Sequence, residues 1–345
     1  MNPQTTSAKI IVPRVVSIAA LIAAILIPFV TADYLIFQYT LVLIYGIAIM
    51  GLTILSGYNG QFSLGQVAFF AIGAYTAAIL LQNDLVSYPL TLPIAGIISF
   101  AFGFVFGLPA LRLHGIYLAL ATFALSVATP QILKLTPLIP YTGGVNGIVL
   151  TKPQPPLGLP LSDDQWLYIF TLFVALTMYG FAILLMRSRS GRALLAIRDH
   201  PVAAQSMGIN TAVYKATAFG LSGCYAGVGG ALLAIVMQYV SPDSFAIHVS
   251  IIFFVGMVLG GYLWLPGAFF GALFVVFLPG ASEGFPKGSE GIVFAGLMIV
   301  TVFVMPSGLF GFLDFIGRKF DTLRASKEDT SPSAGHGDLS RAGHE

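Results

Sequence analysis

Charge is what this sequence has least of. Asp, Glu, Lys and Arg make up only 9% of its 345 residues, against about 25% in soluble globular proteins. A water-soluble fold of this length cannot be surfaced with so few charges. The hydrophobic content of 57% in turn excludes a chain that is disordered along most of its length. The 16 basic and 14 acidic residues leave a net charge of +2, too small and too dispersed for nucleic-acid binding. The single cysteine, Cys224, permits neither an internal disulfide nor a cysteine-based metal cluster, and its apolar surroundings read as packing. Chemistry motifs are missing as well. There is no phosphate-binding Gly-x-x-x-x-Gly-Lys-Ser/Thr loop and no His-Glu-x-x-His. Neither Ser222-Gly223 nor Ser307-Gly308 has the Gly-x-Ser-x-Gly setting of a nucleophilic serine. The expectation is a chain without catalytic residues, bound cofactor or metal.

What is there is apolar length. Mean hydropathy is +0.89, and ten apolar segments can be read along the chain. They lie at 15–32, 34–55, 62–82, 89–110, 115–135, 166–186, 213–237, 245–262, 265–280 and 291–312. Backbone groups in lipid must pair within their own segment, so these are helices, and they lack the alternating pattern of barrel strands. The first segment is followed at once by another long apolar run, which reads as a retained helix and not a cleaved leader. The fold class is therefore an all-α polytopic membrane protein of about ten transmembrane helices.

Lysine and arginine set the orientation. With the N-terminus cytoplasmic and the helices alternating, 13 of the 16 basic residues fall inside; only Lys134, Lys152 and Lys287 fall outside. Both termini are then cytoplasmic. The domain reading is a cytoplasmic N-terminus at 1–14, a transmembrane domain at 15–317 and a polar, disordered cytoplasmic tail at 318–345. Within the domain, 136–165 is a Pro/Gly-rich outer loop, 281–290 a short outer loop and 187–212 the largest inner loop.

Three stretches carry more than topology. Ser56–Gln66 places three glycines and several polar side chains between two apolar runs. This reads either as a cytoplasmic turn or as a broken helix whose free backbone groups line a cavity. In the second reading Asn59, Gln61, Ser63 and Gln66 line a polar pathway, together with Thr122. Residues 191–210 read as a short helix, a break at Pro201 and a second helical turn ended by Gly208. Their small and apolar residues suggest a partner surface. Glycines four apart at Gly103/Gly107, Gly223/Gly227, Gly256/Gly260 and Gly267/Gly271 suggest close helix packing. A faint internal match pairs Leu55-Ser-Gly-Tyr58 with Leu259-Gly-Gly-Tyr262, and Ala68-Phe-Phe70 with Ala268-Phe-Phe270. The offsets differ, so chance is the simpler explanation.

Taken together, four motifs are specific. They are Leu55-Ser-Gly-Tyr-Asn-Gly-Gln-Phe-Ser-Leu-Gly-Gln66 with Phe70–Tyr75, Pro109–Leu120, Thr142-Gly-Gly-Val-Asn-Gly147, and the inner-loop pattern from Gly191 to Lys215. With them the chain resembles the permease subunits of branched-chain amino acid ABC transporters, of the LivM type, over about residues 40–312. The resemblance implies that the inner loop docks on an ATPase, with Gly191, Arg192, Ala196, Arg198, Asp199, Ala203 and Gly208 as coupling positions. Arg198 and Asp199 can equally pair with each other. It implies Gly143, Gly144, Asn146 and Gly147 as an outer-loop motif. It also implies two ATPase subunits that use ATP, a second, related permease, a substrate-binding protein and a bacterial inner membrane as the setting. One departure stands out. After Val258-Leu-Gly-Gly261 the chain reads Tyr-Leu-Trp-Leu-Pro-Gly267 where the family is rich in Gly and Ser/Thr, which leaves a urea or short-amide permease as an alternative. From another class, the rival is a stand-alone carrier or channel. Most spans carry no ionisable group at their centre, unlike ion-coupled carriers, and its main candidate group is His248.

Overall fold

The computed structural model describes residues 24–113, 115–155 and 161–282, together with Gly296 and Ile299. The segment predicted at 291–312 apart from those two residues, the tail at 318–345, Lys287 and residues 1–23 lie outside the described residues. The helices are α1 (Asp33–Leu52), α2 (Gln66–Gln82), α3 (Tyr88–Ala110) and α4 (Ile116–Leu133). After them come α5 (Asp163–Arg187), α6 (Arg189–Asp199) and α7 (Pro201–Ser206). The last are α8 (Thr211–Met237), α9 (Ile247–Gly260) and α10 (Gly267–Ser282). Two short strands, β1 (Ile148–Val149) and β2 (Tyr239–Val240), pair antiparallel.

Six helices among the described residues are long and apolar enough to cross a membrane, and Gln66–Gln82 and Gly267–Pro279 are shorter apolar helices. Each of these eight coincides with a predicted segment, within a few residues at its ends. The protein is an all-α polytopic membrane protein.

The bundle is organised around α8 and α1. Of their most apolar stretches 89% and 83% are buried, against 28% for α4 and 22% for α5. Large side chains such as Ile97, Phe173 and Leu184 are exposed on the peripheral helices, as expected of surfaces that face lipid.

Glycine makes the central contacts possible. A Cβ at Gly103 would lie 2.6 Å from the Phe219 carbonyl oxygen, and one at Gly223 2.5 Å from that of Ser99. These contacts lock α3 onto α8. Gly73 and Gly230 bring α2 against α8 in the same way, through the Gly227 and Phe70 carbonyls. Across α9 and α10, Gly256 meets Gly271 and Gly260 meets Gly267, backbone to backbone. The glycine pairs therefore do what their spacing predicts.

The faint internal match gains a structural counterpart. Each half of it lies where one apolar helix ends before the next: 55–58 in the turn that closes α1 ahead of α2, 259–262 at the end of α9 ahead of α10. The two turns also touch, since Gly57 packs on the Tyr262 carbonyl and Tyr58 Oη donates to Leu263 O at 3.0 Å.

Candidate functional site

The break between α1 and α2 is an interior structure. α1 widens into a π-helical turn over Thr53–Tyr58, a geometry often found at functional positions. The chain then reverses at Gly60, whose φ of +71° suits glycine, and runs without regular structure to Gly65. The loop closes on the π turn: Gln61 N donates to Leu55 O at 3.2 Å, and Ser56 Oγ donates to Gln61 O at 2.9 Å. Asn59, Gln61, Ser63 and Gln66 are all buried.

Backbone groups freed by the break are met by hydroxyls from distant helices. Leu64 N donates to Thr122 Oγ1 at 3.0 Å, and Val67 N donates to Ser250 Oγ at 3.0 Å. Ser126 Oγ donates to Leu64 O and lies 3.2 Å from Ser250 Oγ. Ser63 Oγ accepts from Gly65 N at 3.2 Å. Gln66 ties three helices together. Its Nε2 donates to Ala48 O at 2.8 Å, and its Oε1 accepts from Ser222 Oγ at 2.9 Å. The structure thus brings Ser63 and Thr122 together at Leu64–Gly65, while the Gln66 side chain turns to α1 and α8. Asn59 and Gln61 sit further along the loop, with Asn59 Nδ2 donating to Gln61 Oε1.

Sequence reasoning missed Ser126, Ser222 and Ser250, all buried. Their one sequence signal is a lone serine within an otherwise apolar run. Ser250 holds a backbone N–H that would otherwise be unpaired in the interior, so Ser250→Ala is expected to destabilise the fold by about 1–3 kcal/mol. The check is a thermal-unfolding midpoint in detergent, with the exposed Ser206→Ala as the control that stays unchanged.

The inner-loop stretch forms the predicted helix–break–helix. Ser188 caps α6, accepting from Ser190 N at 3.2 Å and Gly191 N at 3.4 Å, and Asn210 caps α8 through Val213 N at 3.2 Å. The two faces of α6–α7 differ. Ala193, Leu194, Ile197 and Ala204 are buried against the bundle. Arg192, Ala196, Asp199, Ala203 and Gly208 are exposed, alongside Val202 and Met207, which are 77% and 85% exposed. Two of the seven predicted coupling positions point elsewhere. Gly191 lies against the Met186 backbone, where a side chain would collide. Arg198 reaches inward: its Nη1 donates to Gly57 O at 3.1 Å, while Nε and Nη2 hold Asp199 Oδ1 at 2.9 and 2.8 Å. The Arg198–Asp199 pair exists, and the same guanidinium also ties α6 to the π turn.

At the opposite end, Thr142–Gly147 is a tight turn under the β1–β2 ribbon. Gly147, with φ of +70°, approaches the Val240 carbonyl closely. Asn146 O accepts from Tyr239 Oη at 3.2 Å, and Gly144 N donates to Thr142 Oγ1 at 3.2 Å. Nearby, Lys134 pairs with Asp243 at 2.6 Å. His248 is exposed at the first turn of α9. Among the described residues no group of three or more His, Cys, Asp or Glu is placed to hold a metal ion.

Residues 34–302 match the family described as the permease component of the branched-chain amino acid transport system. The chain belongs to that family. The high-affinity branched-chain amino acid transport system permease protein LivM of Escherichia coli is 31% identical to this permease over 316 residues, covering 85% of this chain and 73% of its own. BraD of Pseudomonas aeruginosa, also named as such a permease protein, is 25% identical over 298 residues, covering 77% of this chain and 91% of its own. A probable LivH permease protein of Methanocaldococcus jannaschii is 30% identical over 154 residues, 42% of this chain and 48% of its own. No solved structure matches. The permease is thus of the LivM type, a transport subunit.

Proposed function

We propose that this permease carries branched-chain or similar small apolar amino acids inward, as one of two related permease subunits driven by two separate ATPases. A substrate-binding protein delivers the amino acid to the end formed by the 136–149 turn and the β1–β2 ribbon. ATP is bound and hydrolysed by the partners alone. The protein sits in the bacterial inner membrane with ten spans and both termini in the cytoplasm, as its lysine and arginine distribution favours.

The α6–α7 pair is the observation that carries this reading. It lies across one end of the bundle with its apolar side turned inward. Small and apolar residues, among them Ala196, Val202, Ala203 and Met207, remain exposed. That outer face suits docking on an ATPase, and the Arg198–Gly57 bond passes movement of the pair to the helix break. Asn59, Gln61, Ser63, Gln66 and Thr122 form the inner part of the pathway. In the present conformation Asn59 is bonded to Gln61, Ser63 and Thr122 to the loop backbone and Gln66 to α1 and α8, and they face the substrate when the break opens. Uncharged polar groups of this kind suit a zwitterion with an apolar side chain.

The test is purification of the tagged chain in mild detergent, followed by uptake in vesicles. Copurification of an ATPase and a second permease is expected, with leucine uptake that requires ATP. Isolation of a lone homo-oligomer that transports without ATP would overturn the reading and turn attention to ion coupling at His248.

A further inference from the structure

A cavity of about 180 Å³ lies between the helix break and the α6–α7 pair. It is smaller than the ~300 Å³ at which drug-sized sites begin, a size that suits a molecule no larger than an amino acid. One wall is the break itself, at Asn59–Phe62; another is formed by Ile197, Arg198 and Pro201 of the coupling pair.

The lining is cationic and apolar. Lys215 lines it half-buried and makes no hydrogen bond or ion pair among the described residues. Gln61 Nε2 has no acceptor there either, since Asn59 occupies only its Oε1. Arg198 commits its guanidinium to Gly57 and Asp199. Among the described residues no carboxylate lines the cavity, whereas Leu113, Leu118 and Ile197 do.

We propose that this cavity binds a small carboxylate with an apolar body, and that its occupant is the imported amino acid accumulating on the inner side. Lys215 and Gln61 Nε2 receive the carboxylate, and Leu118 and Ile197 receive the side chain. Asn59 Oδ1 is buried without a donor; it is covered in this conformation, and an α-ammonium supplies the donor once that side chain turns outward. The inference rests on the permease reading and on α6–α7 lying inside.

The position gives the site a consequence. Its walls belong to two bodies, the coupling pair and the bundle, which must move relative to each other during transport. A ligand that touches both favours the arrangement it fits, by the difference in its affinity between the two states. Accumulated amino acid therefore opposes coupling-helix movement and slows further import.

The experiment uses the complete importer in phosphatidylcholine vesicles, with ATP and graded unlabelled leucine sealed inside. Initial uptake of labelled leucine from the binding protein is read relative to each variant's own rate in leucine-free vesicles. Internal leucine is expected to slow the wild type. Lys215→Gln is expected to raise the half-inhibiting concentration by about tenfold, the scale of a lost charged hydrogen bond. Leu113→Phe, which fills the cavity and leaves its charge intact, is expected to raise it too. A wild type indifferent to internal leucine, or variants with the wild-type half-inhibiting concentration, would overturn the proposal. So would loss of the leucine effect when phosphatidylglycerol is added, which would assign the cavity to a lipid headgroup. A wild type with no ATP-driven uptake at all would remove the permease reading itself, and this inference with it.

Discussion

Arg198→Ala lowers ATP-driven uptake by about tenfold while the ATPases remain bound and continue to hydrolyse ATP. The expectation follows from where the guanidinium goes. It is the direct hydrogen-bonded link between α6 and the π turn, through Gly57 O at 3.1 Å, and its side chain is 25% exposed. Hydrogen bonds to charged groups contribute about 1.5–3 kcal/mol; partial solvent access places this one at the low end, and about 1.4 kcal/mol is a factor of ten. Asp199→Ala tests the assignment. That carboxylate is 56% exposed, and an exposed ion pair is worth about 0–1 kcal/mol, so its loss is expected to cost uptake far less. Equal losses in the two variants would mean that the pair acts by docking on the ATPase and not through the tether. Copurification separates either case from failed assembly, and the ratio of ATP hydrolysed to leucine moved reports the coupling.

Gly230→Val is expected to abolish folded protein. A Cβ there falls on the Phe70 carbonyl, with the Ala74 nitrogen 3.0 Å away, and both obstacles are backbone within α2. Overpacking in a core costs about 1–3 kcal/mol and occasionally more; with no flexible side chain to yield, this site belongs at or above the upper end. Gly180→Val is the control, because a Cβ at Gly180 meets nothing within 4 Å. Folded yield after detergent extraction and the thermal midpoint distinguish them. A Gly230→Val protein as stable as Gly180→Val would mean that α2 and α8 do not pack through glycine.

Much of this architecture was legible in the sequence because hydropathy and glycine spacing are local. Eight segments, the glycine pairs and the Pro201 break follow from residues within a turn or two of one another. The site was legible only in part. Gln66 and Thr122 stand out as polar residues near or within apolar runs, yet what they hold is set by partners far along the chain. Ser250 lies 183 residues from Val67, and Arg198 lies 141 from Gly57. The sense of the inner loop was also incomplete. Its composition predicted a partner surface, but helical periodicity alone did not say that Ile197 and Ala204 turn to the bundle while Val202 and Met207 turn away. Gly191 looked like a docking residue and is a packing residue, because the Met186 carbonyl that excludes a side chain lies across a turn no spacing rule describes.

The central place of α8 has a bearing on how the protein is made. Gln66 receives its hydroxyl partner from Ser222, 156 residues later in the chain. At roughly 5–20 residues per second the ribosome needs about 8–30 s to supply it. Through that interval α1, α2 and α3 wait in the bilayer with their glycine faces and the Gln66 amide oxygen unmatched. The first third of this chain is therefore a client of whatever shelters half-built membrane proteins until α8 arrives to close the core.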